Sequence, residues 1–402
     1  MGMKQSNWLL PISFCLIVFT SIAQQCPPPA EAKNEMIAGV KEGRWLEYFN
    51  SEGNSTKDTN AALFYRITDY KSGKPEGIVW EYNKNGMPRR ETLYTHGIKN
   101  GSEREYYETT GTIRLESPYT NGKLNGVVKI YNESDTLLSE TSYVNDTING
   151  TLKLYYESGT LRIESPFLKG EKNGIEKRYN EEGVLQSETP YIDGKRSGIE
   201  KAYDQNGALN GEIPYRNDII NGVLKEYYHN GNLKDEILYS NGSENGISKE
   251  YYENGKIHIE SFYINGSKND TSKEYYENGN IEQETPYSNY IINGLVRAYY
   301  EDGGLMSETL YVKNKKNGLE RNYYKNGKVE LENSYTDDIE NGIEKVYYPS
   351  GNPHWEIPYK FGKKDGVEKE YYETGELKAE TTYHYGITGT VKQYDSKSNR
   401  NR

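Results

Sequence analysis

The residue best placed to do chemistry in this chain is a glutamate that returns thirteen times: Glu91, Glu116, Glu140, Glu164, Glu188, Glu212, Glu236, Glu260, Glu284, Glu308, Glu332, Glu356 and Glu380. Two carboxylates can cleave a glycosidic bond as general acid and base, but only in unequal surroundings within one cleft. A glutamate repeated at constant spacing meets the same surroundings each time, so the series reads as a structural ladder. The histidines (His96, His229, His258, His354, His384) read as scattered over unrelated points of the chain, with no HxxxH or HExxH spacing. Cys15 and Cys26 form no CxxC pair, and the 40 glycines contain no phosphate-cradling loop. The expectation is a non-enzymatic protein with no catalytic residue, no cofactor and no metal.

What must position these glutamates is a fixed period. Gly77, Gly101, Gly126, Gly150, Gly174, Gly198, Gly222, Gly246, Asp270, Gly294, Gly318, Gly342, Gly366 and Gly389 open successive copies 24 residues apart, save one step of 25 and a last of 23. An earlier copy opens at Gly43 and carries an insertion over residues 54–62. With the opening residue as position 0, +5 is Tyr in all fifteen copies, +6 is aromatic in ten, and +17 is Tyr in twelve of thirteen. These three slots hold 36 of the 40 tyrosines, so the Tyr-rich composition is the repeat itself.

Asn-Gly at +8 and +9, as in Asn254-Gly255, predicts a type I′ turn, and a second Asn-Gly-rich turn joins +17 to the next copy. Each copy is therefore a β-hairpin. A two-residue turn sets offsets that sum to 17 opposite one another: Lys(+3) faces Glu(+14), Tyr(+17) faces Gly(0), and Tyr(+6) faces the apolar +11. The expected fold is all-β, an elongated antiparallel β-hairpin repeat array of about fifteen 24-residue copies. Its domains read as a signal peptide over 1–23, a linker over 24–38, the repeat domain over 39–395 and a tail over 396–402. The +6 tyrosines Tyr228, Tyr252, Tyr276, Tyr300, Tyr324, Tyr348 and Tyr372 recur without a gap. Other copies place Asn or Asp there, so the slot is partly exposed and this stripe is the candidate partner-binding surface.

Sixty acidic against 49 basic residues give a net charge of -11, which repels nucleic acid and anionic lipid. Only 34% of residues are apolar, so no thick aliphatic core is expected. Lys4 followed by the apolar run 8–22 and Ser21-Ile22-Ala23 reads as an export signal cleaved after Ala23, too short to span a membrane as a helix. Gln25 before Cys26 departs from the small residue that a lipid anchor on Cys26 requires. The mature chain is expected to be exported to the periplasm, cell envelope or medium, as a monomer or a weak self-associator.

Over roughly 39–394 the pattern Y-Y-E-N-G-x-L-x-x-E-x-x-Y-x-N-G-K-x-N-G resembles the MORN-repeat variant family, including the YwqK-type proteins of bacteria. The resemblance implies a hairpin array serving as a scaffold or binding module. It also implies a rival to a general protein scaffold, an antitoxin that neutralises a specific toxin. A second rival, a cell-wall or glycan binder, rests on a resemblance to the aromatic hairpins of choline-binding modules. A protein partner is the leading expectation.

Overall fold

The computed structural model describes residues 32–395, so the leader, Cys26 and the tail 396–402 lie outside the described residues. No described residue is helical, and two antiparallel strands recur in each copy. The chain divides into two compact units, one reaching Lys123 and one starting at Leu124.

The copy opening at Gly246 shows the plan of the second unit. Strand Ser243–Tyr251 crosses from the preceding copy into this one, and strand Ile257–Ile264 returns beside it. Gly246 faces Tyr263, Ile247 faces Phe262 and Lys249 faces Glu260, the register expected from the sequence. The turn that closes the hairpin is not the expected one. Gly255 N donates to Tyr252 O and Tyr252 N to Lys256 O, both at 2.9 Å, so the loop has three residues. Among them only Gly255 has positive φ, +82°, which is a type I turn ended by a left-handed glycine bulge. The longer loop shifts the register by one. Tyr251(+5) therefore faces Ile257(+11), and His258(+12) bulges to restore the pairing. Position +11 thus shares a face with Tyr(+5), a correction to its expected place opposite Tyr(+6).

Type I′ geometry sits instead at the second turn. Asn241 and Gly242 have φ of 52° and 84°, and the flanking Ser240 and Ser243 pair directly. Between that turn and the next hairpin the strand bulges at position 0. Gly174 has φ +119°, and a Cβ there would stand 2.8 Å from Pro166 Cγ of the preceding copy. Glycine is needed at 0 for space as well as for conformation.

Without a thick apolar core, the most buried column of the second unit is small and polar. Position +15 holds Ser165, Thr189, Ser261, Thr285, Thr309 and Asn333, all buried. The first unit differs. Phe49 stacks on Phe64 at 4.9 Å, Tyr65 on Tyr82 at 5.2 Å and Trp80 on Tyr82 at 5.9 Å, with Ile67 and Val79 buried nearby in the same unit. Such ring pairs add about 0.5–1.5 kcal/mol each beyond area burial. The insertion over 54–62 is stitched to this stack: Ser55 and Thr56 pair with Phe49 and Tyr48, and Ala62 is buried. Strand Glu35–Ile37, inside the segment read as a linker, pairs with Val40–Phe49.

Candidate functional site

Side chains alternate across a pleated strand, so each copy presents two faces. One carries +1, +3, +5, +14 and +16. On it Lys249 pairs with Glu260 of its own hairpin and, in strand register, with Glu236 of the preceding one. The ladder is thus continuous from copy to copy. Lys153 Nζ lies 3.5 Å from Glu164, and Arg321 reaches Glu308 at 3.2 Å and Glu332 at 2.8 Å. Tyr(+5) locks it. Its hydroxyl donates to Glu(+14) of the preceding copy: Tyr155 to Glu140 and Tyr299 to Glu284 at 2.9 Å, and Tyr371 to Glu356 at 3.1 Å. Burial, and then the Glu140 carboxylate that accepts its proton, push the Tyr155 hydroxyl up to about 12. The guanidinium of Arg321 holds Glu332 below the usual carboxylate range. This is the coupling between neighbours that stabilises a repeat array.

The opposite face carries a second set that the sequence reading missed. Glu176(+2) is 1% exposed, accepts from Ser165 Oγ at 2.7 Å and pairs with Lys172(+22) and Arg178. Burial works to raise its pKa, yet Lys172, Ser165 and Arg178 together hold it low. Lys172 Nζ also lies 4.7 Å from the ring centroid of Tyr191(+17). The same Lys–Glu pair forms at Lys99–Glu103, Lys316–Glu320 and Lys364–Glu368. The signal was present in the sequence: where +22 is apolar, as in Ile220 and Ile292, +2 is apolar too, as in Leu224 and Val296. Only Glu340 and Glu344 set two carboxylates in these slots, and burial followed by the Glu340 charge raises the Glu344 pKa.

The seven stripe tyrosines lie at the hairpin tips, all half-buried. Each hydroxyl donates to the backbone carbonyl of Tyr(+5) in the next copy. Tyr228 reaches Tyr251 O, Tyr252 reaches Tyr275 O and Tyr300 reaches Tyr323 O at 2.6 Å; Tyr324 reaches Tyr347 O at 2.7 Å and Tyr276 reaches Tyr299 O at 2.8 Å. Tyr348 reaches Tyr371 O at 3.0 Å and Tyr372 reaches Tyr394 O at 3.2 Å. Residue +12 lies against the ring: His258 on Tyr252 at 4.3 Å and His354 on Tyr348 at 4.2 Å. Two of the histidines therefore share an offset, contrary to the scattered reading.

Half-exposed large apolar side chains form another series. Ile175, Ile199, Ile247 and Ile343 at +1 are 50%, 54%, 51% and 52% exposed, facing Pro190, Pro214, Phe262 and Pro358 at +16. This apolar stripe borders the ion-pair ladder on the Tyr(+5) face. Among the described residues no group of three or more His, Cys, Asp or Glu is arranged to hold a metal ion, and no helix is long and apolar enough to cross a membrane.

No curated protein matches this chain. Among solved structures, a crystal structure of TcdB2-TccC3-Cdc42 aligns at 12% identity over 88% of this chain and 24% of its own, with a TM-score of 0.16. A Photorhabdus luminescens Tc holotoxin pore aligns at 14% identity over 87% of this chain and 18% of its own, also at 0.16. The chain spans about a quarter or less of the length of these structures. The MORN repeat variant matches over 124–145, 148–169, 172–193, 196–217, 220–241, 244–265, 271–289, 292–313, 316–337, 340–361 and 364–385. With the repeat matched over more than half its length, this chain belongs to the MORN repeat variant family.

Proposed function

We propose that this protein is an exported, non-enzymatic scaffold that binds a protein partner along its repeated face. The observation that carries the reading is the +1/+16 apolar stripe. The carboxylates and hydroxyls of the ladder are engaged in joining one copy to the next, whereas Ile175, Ile199 and Ile247 stand half in solvent beside them. Regular exposed apolar surface rimmed by charge suits an interaction site. The rings of Tyr228, Tyr252, Tyr276, Tyr300, Tyr324, Tyr348 and Tyr372 add a second aromatic edge to the contact surface.

The test is capture from a native envelope fraction by the immobilised full chain and by its Ile175→Ser, Ile199→Ser, Ile247→Ser triple variant. These side chains are half exposed, so the variant should fold and lose the partner. Equal capture by both proteins would refute the apolar stripe as the contact. Capture of a single cognate toxin would turn the reading to immunity, and retention on isolated cell wall would turn it to glycan binding. Cell fractionation, with N-terminal sequencing at Gln24, tests export.

A further inference from the structure

Position 0 is glycine in every copy except one, where it is Asp270. The backbone changes with it. Glycines at 0 in the neighbouring copies have φ of +120° and +136°, against 63° at Asp270. The local register changes as well: Phe262 pairs with Asn269, whereas in the preceding copy +16 has no partner across this bulge. The +1 residue that follows is Thr271, lying between Ile247 and Leu295, the apolar +1 residues of the flanking copies. A small residue interrupts the apolar stripe where a charge enters it.

These changes coincide with a groove of about 510 Å³, lined among others by Ile247, Phe262, Asp270, Thr271 and Leu295. The ladder groups at its wall are Glu260, Glu284, Lys273 and Arg297. Lys249 engages Glu260 at 3.8 Å and Lys273 engages Glu284 at 3.9 Å. Asp270 is exposed, accepts one hydrogen bond from Thr271 N at 2.8 Å, and makes no ion pair among the described residues. Glu260 and Glu284 thus have lysine partners, and Asp270 is the wall carboxylate with none among the described residues, on a chain of net charge -11. A second copy of the chain would bring like charge.

We propose that this groove receives one lysine or arginine of an extended partner segment, its ammonium or guanidinium on Asp270 and its neighbouring aliphatic side chains on Ile247, Phe262 and Leu295. The inference rests on the reading of the chain as a protein-binding scaffold and names the chemistry of the partner. A cation on a groove-lined carboxylate adds selectivity for charge, and the apolar flanks supply contact area.

The repeat itself supplies variants that fold. Asp270→Gly restores the residue of the other copies, and Thr271→Ile fills the gap with the residue most common at +1. The probe is a fluorescein-labelled nine-residue peptide alternating Val and Lys, titrated by anisotropy into the full chain at about 0.05 M salt, with a Val and Glu peptide as control. The expected result is binding of the Lys peptide alone, weakened about fivefold by Asp270→Gly and by 0.15 M salt, in keeping with a screened single ion pair. Thr271→Ile should weaken it with no change in salt dependence. The proposal is overturned if the Lys peptide fails to bind, if Asp270→Gly binds it equally, or if the Glu peptide binds as well. Failure of the scaffold reading is distinct, since it shows as unchanged capture by the isoleucine triple variant while the peptide still distinguishes Asp270 from Gly.

Discussion

Replacing Glu340 by lysine tests whether the +22/+2 pair is a unit of stability. In the native chain Glu340 and Glu344 stand where four other copies set Lys against Glu. Asn333 relieves the clash in part, donating through Nδ2 to Glu340 at 3.1 Å and to Glu344 at 3.3 Å. Lysine at 340 converts a like-charge contact into an ion pair, worth about 0.2–1 kcal/mol at a partly exposed site. By analogy with Lys364 over Tyr383, at 5.0 Å, it would also place an ammonium over Tyr359, for about 0.5–1 kcal/mol more. The expected gain is about 1–2 kcal/mol at pH 7.

The pH dependence makes the test specific. The folded pKa of Glu344 is raised, first by burial and then by Glu340, so its favourable contribution is complete below the usual carboxylate pKa and is lost as pH rises through the folded value. The parent is therefore penalised near neutrality and relieved in acid. In the variant the new ammonium reverses the shift, so the advantage over the parent should grow from about pH 4 to pH 7. Repeat arrays open locally, so hydrogen exchange over strand Gly342–Tyr347 is a better readout than a single global midpoint. No added protection at pH 7, or a gain equal at pH 4 and pH 7, would refute the reasoning.

Gly174→Ala forces a Cβ against Pro166 at positive φ and should cost about 1–3 kcal/mol by urea unfolding, whereas Gly231→Ala meets only the φ penalty, with open space around it, and should cost about 1 kcal/mol. Changing Tyr276, Tyr300 and Tyr324 together to Phe removes three hydroxyl-to-carbonyl bonds and should lower stability by about 1.5–4.5 kcal/mol; an unchanged melting curve would show that those bonds contribute nothing. The hydroxyl of Tyr155 is raised to about 12, so its share of stability is complete below about pH 10 and is lost as pH climbs through 12. Tyrosinate absorbance and circular dichroism should move together in that window in the parent, and the loss of strand signal should come earlier in Glu140→Gln. Deleting residues 222–245, one whole period, keeps each type of junction and should leave a folded β-protein, whereas deleting twelve residues should not.

The ladder was legible in the sequence because Lys(+3) and Glu(+14) keep their types in nearly every copy, and the bulge at +12 restores the sum-to-17 register that the three-residue loop displaces. The turns were not. Asn-Gly favours type I′ when two residues close a hairpin, but the same Asn-Gly ends a three-residue loop here, and Glu253 makes up the difference. That single extra residue moved Ile257 beside Tyr251 and turned His258 into a bulge on the Tyr252 ring. The polar face went unread for a different reason. Its slots +22 and +2 vary from copy to copy, and their joint change, Lys172 with Glu176 but Ile220 with Leu224, has meaning only once the strand bulge brings them together.

This difference between constant and paired slots bears on where function can reside. A side chain kept at one offset in fifteen copies, such as Tyr(+5), joins one copy to the next, in nine of them through its bond to the neighbouring Glu(+14), and removing it weakens those junctions alike. Such a residue cannot single out one partner at one point of the array, because every copy offers the same group. Selectivity needs a departure from the period, and a departure that merely weakened the fold would cost stability without return. Asp270 breaks the glycine rule in the same place that Thr271 interrupts the apolar stripe, and both line the groove. Glu340 breaks the pairing rule on the face opposite the ladder, which makes it the fitting control: correcting Glu340 should stabilise the chain and leave peptide binding at Asp270 untouched.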